Sequence, residues 1–534
     1  MEKFGKSQSV TRVEDVRLLT GHGRYVDDIA PSGALRAYFL RSTVAHGQIT
    51  AIDAADARHM PGVHMIVTAT DLEAAGVKSD MAANLATNRD GTKGAVTMRP
   101  LLAKDRVRHV GEAVAMIVAD DVSAAKDAAE AIMVEIDDLP VHVDLVIGGE
   151  PLHPTAPDNL AFDWGMGDEQ GTLAAVDDAA HVVRLDVFDN RIIVNSMEAR
   201  GCFAEVVDGR LHFGFGGQGV WGLKNDLAYH LGLDKADIRV TNPDVGGAFG
   251  MKGMRYPEYF LVAHACHALG HPVRWMSERT EAMLTDNAGR DLTTTATLSF
   301  DGNYHITAYH LDTIANMGAY NSQFAQSIQT ELFSKVLMGT YDVQTAYMRT
   351  RGIFTNTTPV DAYRGAGRPE AIFVLERMMD EAARQLGVDP WELREKNFIT
   401  PSQFPYTTVS GVTYDVGDFM QVLNAVDQKS DRAGFADRKA ASAAAGKLRG
   451  QGLCYYIESI LGSPTETTKV EFVTGGAKIF VGTQSSGQGH ETVYAQFLAD
   501  QTGMPADQIE VIQGDSDQIA AGGGTGGSLS LIHI

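Results

Sequence analysis

The stretch Asp361-Ala-Tyr-Arg-Gly-Ala-Gly-Arg-Pro-Glu370 sets two arginines and two glycines in a turn leading into a helical run, Glu370 to Leu386, stopped by Gly387. Cations beside backbone N–H groups that no Cβ shields suit a phosphate or an oxyanion. Gly217-Gln-Gly-Val-Trp-Gly222 fits G-x-G-x-x-G between a strand-like and a helical run. It admits three readings: a dinucleotide turn, a plain tight turn, or a turn whose N–H groups meet another anion. His264, His267 and His271 surround Cys266 in a histidine-rich run. The first two share a helix face, but Gly270 and Pro272 end the helix before His271, so helix packing is expected rather than a metal site. Asp389-Pro-Trp-Glu392 carries the N-cap, N1 proline and N3 acid of a helix start, which orients Arg394 and Asn397.

These residues need a scaffold. Over the first ~145 residues strand-like runs (Ala37-Tyr-Phe-Leu, Val63-His-Met-Ile-Val, Ala113-Val-Ala-Met-Ile-Val, Met133-Val-Glu-Ile) alternate with an alanine-rich helix from Val122 to Ile132. A Pro/Gly/Asp-rich linker beginning at Gly148 marks a domain boundary, and a Lys/Asp/Arg/Ala-rich stretch over residues 428–449 marks a second boundary or one exposed helix. Between and beyond them runs an internal repeat. Leu211-His-Phe-Gly-Phe-Gly-Gly-Gln218 enters a turn, then a helix ending at Gly232, then Ile238 to Asp244 and Gly246-Gly-Ala-Phe-Gly250. Lys478-Ile-Phe-Val-Gly-Thr-Gln484 enters Ser486-Gly-Gln-Gly-His490, a helix ending at Gly503, then Ile509 to Asp515 and the glycine loop from Gly522. Two copies of one unit predict two related lobes face to face, with a ligand where their glycine loops converge.

Composition narrows the chemistry. The 534 residues hold 45 basic and 68 acidic side chains, a formal charge of −23, and 44% apolar residues. Such a chain can bury sizeable cores, and its field repels a phosphate backbone, so nucleic-acid binding is not expected. Cys202, Cys266 and Cys454 are too few and too far apart for an iron–sulfur or thiolate-zinc site. No secretory pattern opens the sequence and no apolar run reaches the ~18 residues of a membrane span, which points to the cytoplasm.

Read in order, four motifs resemble one family, the molybdopterin-binding large subunits of the xanthine dehydrogenase and carbon monoxide dehydrogenase type. They are the run from Arg12 to Asp28, Gly246-Gly-Ala-Phe-Gly, Ala362-Tyr-Arg-Gly-Ala-Gly-Arg, and Gly482-Thr-Gln-Ser-Ser-Gly-Gln-Gly-His-Glu. The resemblance implies an α+β chain: an N-terminal α/β hammerhead domain (18–140), a first molybdopterin-binding domain (155–425) and a related, incomplete second one (445–528). It implies molybdenum held by a pterin dithiolene with no protein metal ligand, the cofactor being of the cytosine dinucleotide form. Gln218 is similar to the glutamine that hydrogen-bonds an oxygen ligand of the metal. Gly247, Phe249 and Gly250 resemble the turn beside it, and Arg364 resembles the arginine that faces substrate. Arg394 is similar to a pterin-contacting arginine. Gln484, Gln488, Gly489 and the loop with Thr525, Gly526 and Ser528 resemble the pterin cradle. The family's partners are a small subunit with 2Fe–2S clusters and usually an FAD subunit, in a dimer of heterotrimers that oxidises a small molecule. Two alternatives remain: an NAD-dependent dehydrogenase using Gly217 to Gly222, or a non-catalytic scaffold subunit.

Departures from the pattern refine this. Gly365 stands where carbon monoxide dehydrogenases place a copper-holding cysteine, and Met251-Lys-Gly253 stands where purine oxidisers carry a glutamate. An aromatic N-heterocycle or an aldehyde is the expected substrate. Family members continue well past this sequence to their catalytic glutamate, so the chain as written is expected to lack turnover. Its last six residues, 529–534, break the glycine-loop pattern and match a translated sequencing adapter, the expected origin of that tail.

Overall fold

A computed structural model describes residues 10–461 and 467–527. Ser528 and the tail 529–534 lie outside the described residues. The apolar run Ala113–Ala119 is a strand buried along its whole length, as an interior strand covered on both faces must be. The helix Val122–Ala131 lies over it through Ala125 and Ala128, and its first turn is capped by the Asp121 carboxylate, which accepts the Ala124 N–H at 2.8 Å.

That strand belongs to a seven-stranded sheet drawn from distant parts of the sequence. Ile238–Thr241, Arg210–Phe215, Gly201–Val207 and Val273–Met276 form one half; Leu35–Arg41, Ala113–Ala119 and Val63–Thr68 form the other. The halves join where Leu35 pairs in parallel with Val273. A five-stranded sheet (Leu160–Gly167, Ala346–Phe354, Ile306–Gly318, Leu292–Phe300, His181–Asp189) packs its apolar face on the long helix Arg368–Leu386. This helix starts two residues before the expected Glu370, because Pro369 fits a first turn, whose N–H groups have no intrahelical acceptor. Residues 428–449, read as a boundary or one exposed helix, hold the end of one helix and a second, exposed one. Two helices, Phe419–Ser430 and Phe435–Ala444, are broken at Asp431, whose φ is +48°.

The repeat takes the same form twice. Arg210–Phe215, the helix Trp221–Leu231 and Ile238–Thr241 make one strand–helix–parallel strand unit. Gly476–Phe480, the helix His490–Thr502 and Ile509–Ile512 make the other. The units meet at an antiparallel bridge between Thr241 and Asp515, beside an Arg239–Asp515 ion pair at 2.7 Å. The N-terminal segment ties them again. Arg17 donates to Asp244 of the first unit at 2.7 Å and to both oxygens of Glu491 at the start of the second unit's helix. Among the described residues no helix is long and apolar enough to cross a membrane.

Two buried histidines make this fold sensitive to acid. His109 and His153 are nearly inaccessible, and the Nε2 of His109 has no hydrogen-bond partner among the described residues. Burial, reinforced by Arg99 at His109 and by Arg108 at His153, pushes both imidazoles down to about 3. Below the ordinary value of about 6.5 the unfolded chain takes up protons that the folded chain refuses, so stability falls as pH drops from there toward 3. At pH 5.5 each histidine is expected to cost about 1.4 kcal/mol relative to pH 8. Urea midpoints measured across this range check it, and a flat profile contradicts it.

Candidate functional site

The two glutamine turns occupy equivalent places in the repeat. Aligning Phe213–Gln218 with Ile479–Gln484 sets Gln218 against Gln484, and aligning Ile238 with Ile509 sets Asn242 against Gln513. The hydrogen bonds obey the same equivalence. The Asn242 side-chain oxygen accepts the Gly219 N–H at 3.0 Å, and the Gln513 side-chain oxygen accepts the Ser485 N–H at 2.9 Å. Thr525 knots the turns together. Its N–H donates to the Gln218 carbonyl at 2.6 Å, its carbonyl accepts from the Gln218 amide, and its hydroxyl donates to the Gln484 carbonyl at 2.7 Å.

Opposite this knot lies the Gly246–Gly250 turn. Phe249 adopts φ +55°, a left-handed conformation that is strained for a bulky aromatic. Two contacts hold it: the Arg364 N–H donates to the Phe249 carbonyl at 2.9 Å, and the Gly250 N–H donates to Gln218 Oε1 at 2.9 Å. The motif's two arginines do different work. Arg364 is exposed, makes no ion pair among the described residues, and sits 5.8 Å from the Phe249 ring centre. Arg368 is buried and binds the Gly365 carbonyl at 2.6 Å, while Arg290 takes the carbonyls of Tyr363 and Arg364. The turn's oxygens are thus bonded to cations, and Arg364 meets the cavity as an uncompensated positive charge.

That cavity measures about 1120 Å³. Gln218, Phe249, Gly250, Arg364, Gln488, Thr525 and Gly526 line it, so seven residues chosen from the sequence converge on one space. Gly247 and Gln484 line a neighbouring cavity of about 650 Å³, which shares Phe249, Ser486 and Gly487 with the first. Gly489 caps the helix His490–Thr502 and packs against Arg12.

Arg394 is not brought to the site, which corrects the sequence-based expectation for it. It is 0% exposed, paired with Glu376 at 2.9 Å and Asp380 at 3.0 Å, and it donates to the Leu453 carbonyl. A buried guanidinium needs carboxylates, and Glu376 and Asp380, one turn apart on the long helix, supply them. His264 and His267 lie on the helix Pro257–Leu269, with His271 beyond its end. No metal-holding group of three or more His, Cys, Asp or Glu occurs among the described residues.

Sequence reasoning missed Asn242 and Gln513, although the repeat register aligns them. It also missed the apolar wall of Trp221, Phe324, Ile328 and Leu332. The last two lie on a π-helical turn, Ile328–Leu332, pressed against Gly367.

The residues present fit an anionic planar cofactor. Arg364 offers a cation without an ion pair at the large cavity, and the buried Gln484 Oε1, at the neighbouring one, has no partner among the described residues. A cysteine in place of Gly365 would strain this turn, where φ is +103° and a Cβ would lie 2.2 Å from the Pro369 ring.

Comparison with known proteins agrees. Residues 20–140 match the a/b hammerhead domain of aldehyde oxidase and xanthine dehydrogenase, and residues 152–398 and 425–533 each match a molybdopterin cofactor-binding domain. The chain belongs to the family of molybdopterin-binding large subunits of molybdenum hydroxylases, the xanthine dehydrogenase family. It is 35% identical to the nicotine 6-hydroxylase large subunit of Paenarthrobacter nicotinovorans, over 98% of this chain and 65% of that one. It is 33% identical to the carbon monoxide dehydrogenase large chain of Hydrogenophaga pseudoflava, over 97% and 67%. The structure of quinoline 2-oxidoreductase from Pseudomonas putida 86 superposes with a TM-score of 0.91 at 32% identity, covering 99% of this chain and 69% of that one. The chain therefore spans about two thirds of the length of these relatives.

Proposed function

We propose that this chain forms the cofactor-binding, substrate-oxidising part of a multi-subunit molybdenum hydroxylase acting on an aromatic N-heterocycle or an aldehyde. When bound, the pterin-held molybdenum supplies a two-electron oxidation coupled to insertion of a water-derived oxygen. The cofactor is of the cytosine dinucleotide form, cradled by the two glutamine turns and the Thr525 loop. The second amide hydrogen of Gln218 is available to an oxygen ligand, since its partner hydrogen goes to Thr525. Trp221, Phe324, Ile328 and Leu332 clamp a flat apolar substrate. Arg364 stabilises the charge that develops on it. Electrons leave through a 2Fe–2S subunit and an FAD subunit in a cytoplasmic dimer of heterotrimers; this chain's three scattered cysteines cannot hold such clusters.

The observation that carries this reading is the unpaired Arg364 facing the cavity that both repeats enclose. In the full-length, cofactor-loaded subunit, Arg364→Ala is expected to lower kcat roughly 100-fold, the scale of removing one transition-state donor, with molybdenum content retained. Arg364→Lys is expected to keep a fraction of that loss restored. Turnover with a dye acceptor and metal analysis check it. Unchanged turnover in Arg364→Ala overturns the assignment.

A further inference from the structure

Beneath the Gly246–Gly250 turn lies an ion pair that none of the roles above uses. Lys252 is 0% exposed, yet it lines the wall of the large cavity. Its Nζ lies 2.7 Å from Glu198 Oε2. The same oxygen accepts the Gly246 N–H at 2.9 Å, and the Glu198 N–H donates to the Gly246 carbonyl at 3.1 Å. Glu198 thus holds the turn by its backbone and by its side chain, and a Cβ on Gly246 would collide with it at 2.6 Å. The other Glu198 oxygen is buried without a partner among the described residues.

The pair is unequal in its bonding. An ammonium carries three donors, and among the described residues Lys252 has one acceptor. Burial, with Arg200 acting in the same sense, outweighs Glu198 and the more distant Asp286 and holds the ammonium below its ordinary value. Lys252 lines the large cavity and Glu198 does not, so the pair turns its positive end toward that space, and a dipole fixed in so dry a place is little screened.

We infer that the Lys252–Glu198 pair presents the positive end of a fixed dipole behind the Phe249–Gly250 wall, and that Lys252 is a positioning residue that stabilises negative charge on the group bound in the cavity. This rests on the molybdenum-cofactor reading of the site. The positive end of the pair tightens retention of an anionic cofactor and makes its metal easier to reduce. The alternative is that the pair merely braces the turn, in which case charge is irrelevant and shape alone counts.

The test compares neutral and charged replacements in the full-length, cofactor-loaded protein. Lys252→Met removes the charge, Lys252→Gln does so with a polar chain if the apolar one is not tolerated, and Lys252→Arg keeps it. Molybdenum content and the metal's midpoint potential, followed by the Mo(V) paramagnetic signal, are the readouts. The neutral variants are expected to show a negative shift in potential and a several-fold loss of molybdenum, with Lys252→Arg close to the parent. Equal potentials in neutral and charged variants overturn the inference, whatever happens to turnover. Absence of molybdenum from the parent protein would instead refute the cofactor reading itself.

Discussion

Glu258→Ala is expected to destabilise the folded chain by about 3–5 kcal/mol, a large share of the 5–15 kcal/mol that typically separates folded from unfolded states. Glu258 is 1% exposed on the helix Pro257–Leu269. Its two oxygens take Arg200 at 3.0 Å and Arg41 at 2.8 Å. Arg200, 0% exposed, also binds Asp286 at 2.5 Å and lies 3.7 Å from the Tyr256 ring centre. Burial alone would raise the Glu258 carboxyl, but Arg200 and Arg41 outweigh it and hold the group well below the usual carboxylate range. Truncation to alanine leaves the buried Arg200 and the partly buried Arg41 with one carboxylate fewer. Arg41 ends the strand Leu35–Arg41 and Glu258 lies far along the chain, so the loss is felt between the N-terminal half of the seven-stranded sheet and the helix Pro257–Leu269 packed on its other half. Glu258→Gln, which keeps the shape and some hydrogen bonding, is expected to cost less. Urea unfolding of both variants measures the difference, and an alanine variant within about 0.5 kcal/mol of the parent contradicts the argument.

Local order was legible in this sequence and long-range pairing was not. The repeat could be read because each copy carries its own signals within a short span. Leu211 and Phe213, like Ala477 and Ile479, alternate inward along a strand; the helices stop at Gly232 and Gly503; Ile238 and Val240 resume the alternation. Nothing local says that Leu35 should pair with Val273, or that Arg17 should span Asp244 and Glu491, because the partners are chosen only when the chain closes. The site divides the same way. Gln218, Phe249, Arg364 and Gln488 reach one cavity because each sits in a turn whose glycines announce it. Arg394 shows the opposite case: a helix-start motif fixed its place on the helix Pro390–Asn397, while its environment was decided by Glu376 and Asp380 on another helix. Lys252 carried no signal either, since burial of a lysine beside Glu198 cannot be read from spacing.

Gly219→Ala is expected to empty the cofactor site while leaving most of the fold intact. Gly219 has φ +149°, and a Cβ there would lie 2.5 Å from the Gly524 Cα. That neighbour is backbone, so relief requires the Thr525 loop to retreat by about 1 Å to reach ordinary contact. A retreat of that size breaks the bonds by which Thr525 holds Gln218 and Gln484, and the two repeats no longer share a wall. The strain is expected to cost about 1–3 kcal/mol of stability, within what a domain survives, but to remove most of the bound molybdenum and pterin. The same residue separates the rival reading of the glycine-rich turn. In a dinucleotide site the glycines admit a pyrophosphate. Here a Cβ on Gly217 would strike the Phe215 ring at 2.0 Å, one on Gly222 would meet Arg255, and Gly219 meets Gly524, so each glycine answers to the protein itself. Metal and pterin analysis alongside a nicotinamide titration distinguishes the two. Loss of molybdenum with no nicotinamide binding in either protein supports the shared-wall account. A Gly219→Ala protein with its full complement of molybdenum, or a parent that binds nicotinamide and loses it on substitution, overturns it.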